Sequence, residues 1–110
     1  MASGEYYVMS TAQATAAVNQ YVYGSDLLLA NTGAELEIFN AGTEDSPGPL
    51  IFSLNYGDSG FPEGSGASIS LDPGHLNATD APMGAYWCVS NSVFGAGDLG
   101  TPGSVNDTCQ

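Results

Sequence analysis

Four side chains here carry nucleophilic or proton-transfer chemistry in a setting worth weighing: Ser59, His75, Cys88 and Cys109. Ser59 sits in the glycine-rich run Gly57-Asp58-Ser59-Gly60-Phe61-Pro62. A serine nucleophile needs a base within hydrogen-bond reach and an acid that orients the base. His75, the single histidine, follows the turn Asp72-Pro73-Gly74, and nothing in the spacing supplies both partners, so it reads as a polar loop residue. Two cysteines and one histidine make a poor zinc set. The acid clusters Glu44-Asp45 and Asp58 with Glu63 offer the oxygen ligands that calcium takes, without the regular spacing of a calcium loop. No cofactor and no enzymatic activity are expected.

The two cysteines are better placed for architecture. A Cys88–Cys109 bridge closes a loop of about 22 residues and contributes roughly 3 kcal/mol by the chain-entropy estimate. The alternative is a buried Cys88 with a free Cys109 near the end of the chain. We expect the bridge, and with it an oxidising final environment. It would pin a glycine-rich tail, residues 91–110, to the strand that carries Trp87. The sequons Asn77-Ala78-Thr79 and Asn106-Asp107-Thr108 matter only in a eukaryotic secretory pathway.

The elements that must position these residues are strands. The stretch Ala34 to Gly74 holds three of them. In AELEIFN, Leu36 and Ile38 alternate with Glu35 and Glu37; in PLIFSLNYG, Leu50, Phe52, Leu54 and Tyr56 share one parity. In GASISLDPG, Ala67, Ile69 and Leu71 alternate with Ser68 and Ser70. Period-two patterning with β-branched and aromatic residues predicts half-buried antiparallel strands. Further strands are expected over Glu5–Thr11, Val18–Tyr23, Leu27–Ala30 (short and buried) and Ala85–Ser90, with a loop over Thr11–Asn19 and a loop-like tail from Phe94. About seven short strands with turns every 8–12 residues point to one all-β domain over 1–110, an antiparallel β-sandwich or jelly roll. The loops Thr43–Pro49 and Tyr56–Gly66 are the tips expected to make contacts, through Glu44, Asp45, Asp58, Phe61 and Glu63.

Charge excludes whole classes of partner. The 110 residues include 12 acids and no lysine or arginine, for a formal net charge of -12. Such a chain repels phosphate, which argues against nucleic acid and anionic membranes. No apolar run is long enough to span a bilayer, and the start MASGEYYVMST lacks the basic and apolar regions of a signal peptide. A dense acidic surface also keeps a crowded assembly soluble.

Several family resemblances follow from these residues. Gly57-Asp58-Ser59-Gly60 resembles the nucleophile loop of chymotrypsin-like serine proteases. That family places its histidine and aspartate before the serine on a two-barrel fold about twice this length, and here His75 comes after Ser59. Trp87 beside Cys88 resembles immunoglobulin packing of tryptophan on a disulfide, but a partner cysteine so near the end does not fit that fold. The segment from Gln20 to Ser70, with YGSDLLLANTGAELEIFNAGT and then GASISLDPG, is similar to small virion proteins of tailed phages. That resemblance implies a small β-sandwich, often trimeric, that decorates a capsid or forms a head or tail part. The end AYWCVSNSVFGAGDLGTPGSVNDTCQ resembles the C-terminal disulfide loop of type IV pilins, at Tyr86, Cys88, Val89, Ser90 and Cys109. The N-terminal apolar helix of a pilin has no counterpart here.

The expectation is therefore a non-enzymatic structural subunit, a capsid decoration or other virion surface protein. Its partners would be a major capsid protein and further copies of itself, and its place the virion surface or the extracellular space. The alternatives are a globular subunit of a pilin-like extracellular filament and a secreted carbohydrate-binding module acting through tyrosine and tryptophan faces.

Overall fold

The structure, a computed structural model, describes residues 4–11, 20–27, 29–30, 32–57 and 60–109. Eight short strands form four two-stranded ribbons, with 3-10 turns as the helical elements among the described residues. The protein is thus a small β-rich chain built from several small, mostly antiparallel sheets. Strand against strand, the ribbons touch one another only marginally.

The first ribbon pairs β1 (Val8–Ser10) with β2 (Gln20–Val22), in parallel, with Met9 opposite Tyr21. Tyr23 N–H adds a further rung by donating to the Ser10 carbonyl at 2.9 Å. Both strands lie inside the expected segments. Most of the predicted Thr11–Asn19 loop, like the predicted contact residue Asp58 and the candidate nucleophile Ser59, lies outside the described residues.

The second ribbon pairs β3 (Glu35–Phe39) with β4 (Leu50–Asn55), antiparallel, with Leu36 opposite Leu54 and Ile38 opposite Phe52. Beyond that pair the register shifts, so that Phe39 meets Leu50 and Ile51 becomes an extra residue in β4. A bulge of this kind reverses the alternation on its far side. The single parity expected for Leu50, Phe52 and Leu54 is therefore broken at Ile51. At the other end of the ribbon Gly33 and Gly57 pass back to back. Gly33 has φ 113°, and a Cβ placed on it would lie 2.1 Å from the Gly57 Cα, so only glycine fits.

Leu27–Ala30 is not a strand among its described residues, and Leu29 is exposed. The Ala30 carbonyl instead accepts the Gly33 N–H at 3.3 Å and the Tyr56 hydroxyl at 2.8 Å. Those two bonds take the acceptor that a ladder would have used.

The third ribbon pairs β5 (Ile69–Leu71) with β6 (Trp87–Val89), with Ser70 opposite Cys88 and Leu71 opposite Trp87. The fourth, β7 (Val93–Phe94) with β8 (Asp98–Leu99), lies in the tail that was expected to be loop. Two-residue strands leave no periodicity to read; the reversal rests on Gly95 and Gly97, both at positive φ. Ser68 N–H donates to the Leu99 carbonyl at 2.9 Å, and Leu99 N–H to the Gly66 carbonyl at 3.1 Å, which stitches the tail hairpin to the chain entering the third ribbon.

Burial is lopsided. Leu71, Ala81, Ser70 and Ser90 are buried in the C-terminal half, whereas Leu54 is the one buried residue among those described before residue 60. Ser70 was expected on the outer face of its strand. It is buried because its hydroxyl is hydrogen-bonded to that of Ser90, which meets the cost of desolvating it.

Candidate functional site

The chemistry-bearing residues of the described chain gather around the disulfide. Cys88 and Cys109 are bonded, with Cα atoms 5.6 Å apart. The bridge holds the tail against β6, as expected from the sequence. Polar groups then fasten the tail to the chain at β5 at two points and close it on itself at a third. Asp72 accepts the Gly74 N–H at 2.8 Å and, through its other oxygen, the Cys109 N–H at 2.8 Å. Asn106 donates from its amide to the Leu71 carbonyl at 2.9 Å, and Asp107 accepts the backbone N–H groups of Asn91 and Ser92 at 2.8 and 3.0 Å. Asp107 also accepts the Ser92 hydroxyl.

These contacts set the ionisation of the carboxylates. Asp72 is held below the usual carboxylate range, first by the Gly74 N–H and then by that of Cys109. Asp107 is lowered chiefly by the Ser92 hydroxyl, then by the two N–H groups. Asp80 is lowered first by the Asn77 amide, then by His75.

His75 belongs to this cluster. Its Nδ1 lies 2.9 Å from Asp80 Oδ2, and because an ionised carboxylate only accepts, the ring donates there. The imidazole also stacks on Tyr86, with ring centroids 3.7 Å apart and planes at 14°. His75 and Asp80 thus make a base-and-acid pair, which sequence spacing did not reveal because an irregular segment joins them. What the pair demonstrably does is fix the chain between Pro73 and Ala81, where Asn77 Oδ1 accepts the N–H groups of Thr79 and Asp80 at 3.0 and 2.8 Å. Both sequon asparagines, Asn77 and Asn106, already use their amide nitrogens as donors.

The Trp87 indole N–H donates to the Ala81 carbonyl at 2.8 Å, and its ring meets Phe61 at a centroid distance of 5.9 Å. Phe61, expected as a contact residue, is half-buried in that packing, while Glu63 beside it is exposed. Glu44 and Asp45 stand exposed at the tip of the β3–β4 ribbon. Thr43 N–H donates to the Ser46 carbonyl at 3.0 Å and Ser46 N–H returns the bond at 3.2 Å, so the two acids form the apex of a closed turn.

Two open clefts flank Gly100–Pro102. One, of about 430 Å³, lies against Ser68, Ser70, Phe94 and Asp98; the other, of about 470 Å³, against Ser92, Val105 and Asp107. The hydroxyls along the first are already paired within the protein: those of Ser68 and Ser70 with Ser90, and that of Thr101 with Asn106 at 3.0 Å. Among the described residues no group of three His, Cys, Asp or Glu side chains is placed to hold a metal ion. No described helix is long and apolar enough to cross a membrane.

Comparison with known proteins gives no match: no family model, no curated protein and no solved structure aligns with this chain.

Proposed function

We propose that this chain is a non-enzymatic structural subunit that completes its fold in a larger assembly, as a virion surface protein does. One observation carries the reading. Fifteen large apolar side chains of the described residues are exposed, against three buried hydrophobic ones, Leu54, Leu71 and Ala81. Several of the exposed ones are strand residues, such as Tyr21, Ile38, Leu50 and Ile51. Two-stranded ribbons are marginal in water unless a third strand or a packed face supports them. In this reading the two layers of the expected sandwich close only when ribbons of neighbouring subunits meet. The acidic turn of Glu44 and Asp45 and the exposed Glu63 would then face a capsid protein, and the charge of -12 would keep the shell soluble and away from nucleic acid.

The disulfide favours a second reading, a globular subunit of a pilin-like extracellular filament, because the bridged loop is formed at Cys88 and Cys109. A carbohydrate-binding module is less well supported: the Trp87 ring is packed on Phe61 and its N–H is engaged.

The test is sedimentation of native producer lysate through a density gradient, with this chain detected by Glu-C mass spectrometry and the fractions imaged. Co-migration with icosahedral particles is the expected result. Co-migration with thin filaments moves the assignment to the pilin-like subunit, and a chain confined to the top of the gradient overturns both.

A further inference from the structure

We propose that the outer edge of β5 is a docking site for an extended, basic segment of a partner protein, which pairs with the Ile69 backbone in the first cleft. This contact lies beyond those of the assembly reading and can be tested without any particle.

The ladder fixes which backbone groups face the cleft. β5 and β6 pair with Ser70 opposite Cys88. Ser90 N–H donates to the Ser68 carbonyl and Asp72 N–H to the Tyr86 carbonyl, both at 2.9 Å. In an antiparallel ladder such pairs alternate with pairs whose backbone groups turn outward. The N–H and C=O groups of Ile69 and Leu71 therefore point away from β6. The Leu71 carbonyl bears this out, since it accepts the amide of Asn106, a residue that lines the cleft.

The tail meets this edge at two places and leaves it between them. Leu99 bonds to Gly66 and Ser68, and Asn106 to Leu71. In the gap, the Ile69 N–H and carbonyl have no hydrogen-bond partner among the described residues, and Ile69 lines the open cleft of about 430 Å³. A donor and an acceptor on one strand residue match one residue of an added strand, which returns both bonds. From Ser68 to Leu71 the edge runs about 10 Å at ~3.3 Å per residue, room for a short extended stretch. Phe94, Leu99 and Pro102 give the cleft apolar walls, which fit a small aliphatic side chain beside the paired backbone.

Asp98 selects the charge of the occupant. It is the one acid of the lining, it is exposed, and its carboxylate accepts no hydrogen bond from a described residue. A lysine or arginine flanking the paired residue complements it. This chain contains neither, so a second copy cannot supply the side chain and the segment belongs to another protein. The net charge of -12 steers a basic segment toward the chain and an acidic one away.

The probe is the capped peptide acetyl-Val-Lys-Val-Lys-amide, added to the pure, oxidised protein and followed by amide NMR. The expected result is a saturable shift of the Ile69 amide, with slower hydrogen exchange there. Methylating the peptide's backbone nitrogens should weaken binding about tenfold, because the donor to the Ile69 carbonyl is lost. Asp98→Asn should weaken binding of the original peptide about threefold. No shift at Ile69 with millimolar peptide overturns the proposal. So does equal binding of the methylated peptide, equal binding by a folded Asp98→Asn variant, or shifts confined to the Glu44-Asp45 turn. Should the variant disturb the tail hairpin, acetyl-Val-Glu-Val-Glu-amide decides on the unaltered chain: weaker binding supports the basic occupant, and equal binding removes it. The peptide can bind in pure solution whether or not the chain sediments with particles, so this proposal and the virion reading fail separately.

Discussion

The Asp72 carboxylate accepts the Cys109 backbone N–H at 2.8 Å, joining the residue that follows β5 to the second cysteine of the bridge. The contact spans 37 positions and acts beside a covalent link, so the tail is held twice at one place. Asp72→Ala removes the polar half of that anchor. The bridge should then be reduced faster by a small thiol, followed as the mass shift of alkylated cysteines over time. An unchanged rate would show that the disulfide alone holds the tail.

Replacing both cysteines, Cys88→Ser with Cys109→Ser, should cost roughly 3 kcal/mol in urea unfolding. The loss should appear in Trp87 emission, since Trp87 adjoins Cys88 in β6.

Ser90 is the most deeply buried polar residue among the described residues, 1% exposed, and the Ser68 and Ser70 hydroxyls both meet its own. Ser90→Ala leaves the buried Ser70 hydroxyl without that partner, at a cost of about 1–3 kcal/mol. Thermal melts of the oxidised protein would show it.

Acid should loosen the C-terminal half. Asp72, Asp80 and Asp107 all have lowered pKa values in the fold. A lowered folded value contributes stability that is fully present above the unfolded value, ~3.9, and is lost as pH falls through the folded one. The melting temperature of the oxidised chain should therefore be insensitive to these groups above about pH 5 and fall below about pH 4. A fall centred near neutral pH would contradict this.

Gly33→Ala should open the base of the β3–β4 ribbon, because the new Cβ would meet the Gly57 backbone and φ is positive there. Amide protection should drop across Glu35–Asn55 while Trp87 emission stays constant.

The strands that sequence made legible are those with enough length to show a period. Leu36 and Ile38 against Glu35 and Glu37 located β3, and the run around Trp87 located β6. Leu27–Ala30 misled because four apolar residues look alike whether or not a neighbour is free to pair, and the Ala30 carbonyl is taken by Gly33 and Tyr56. The bulge at Ile51 was hidden because inserting one apolar residue among others leaves no mark in composition. At the disulfide cluster, Cys88 and Cys109 were legible and their supports were not. Asp72 and Asp107 look like turn and tail acids; their function depends on N–H groups 37 and 15 or more positions away. His75 with Asp80 was invisible for a related reason, since five residues of irregular chain fix no spacing rule.

The separateness of the ribbons has a consequence for how the chain opens. The first two ribbons share no strand with any other, so parting one leaves the ladder of the other intact, whereas the third and fourth are joined through Leu99. Cooperativity is confined to the first ribbon, to the second, and to the joined pair. Amide exchange would then proceed in independent groups, with Val8–Ser10 and Gln20–Val22 among the earliest. The segment from Trp87 to Cys109, stitched to β5 by backbone bonds, carboxylates and a covalent bridge, would exchange last and as a block.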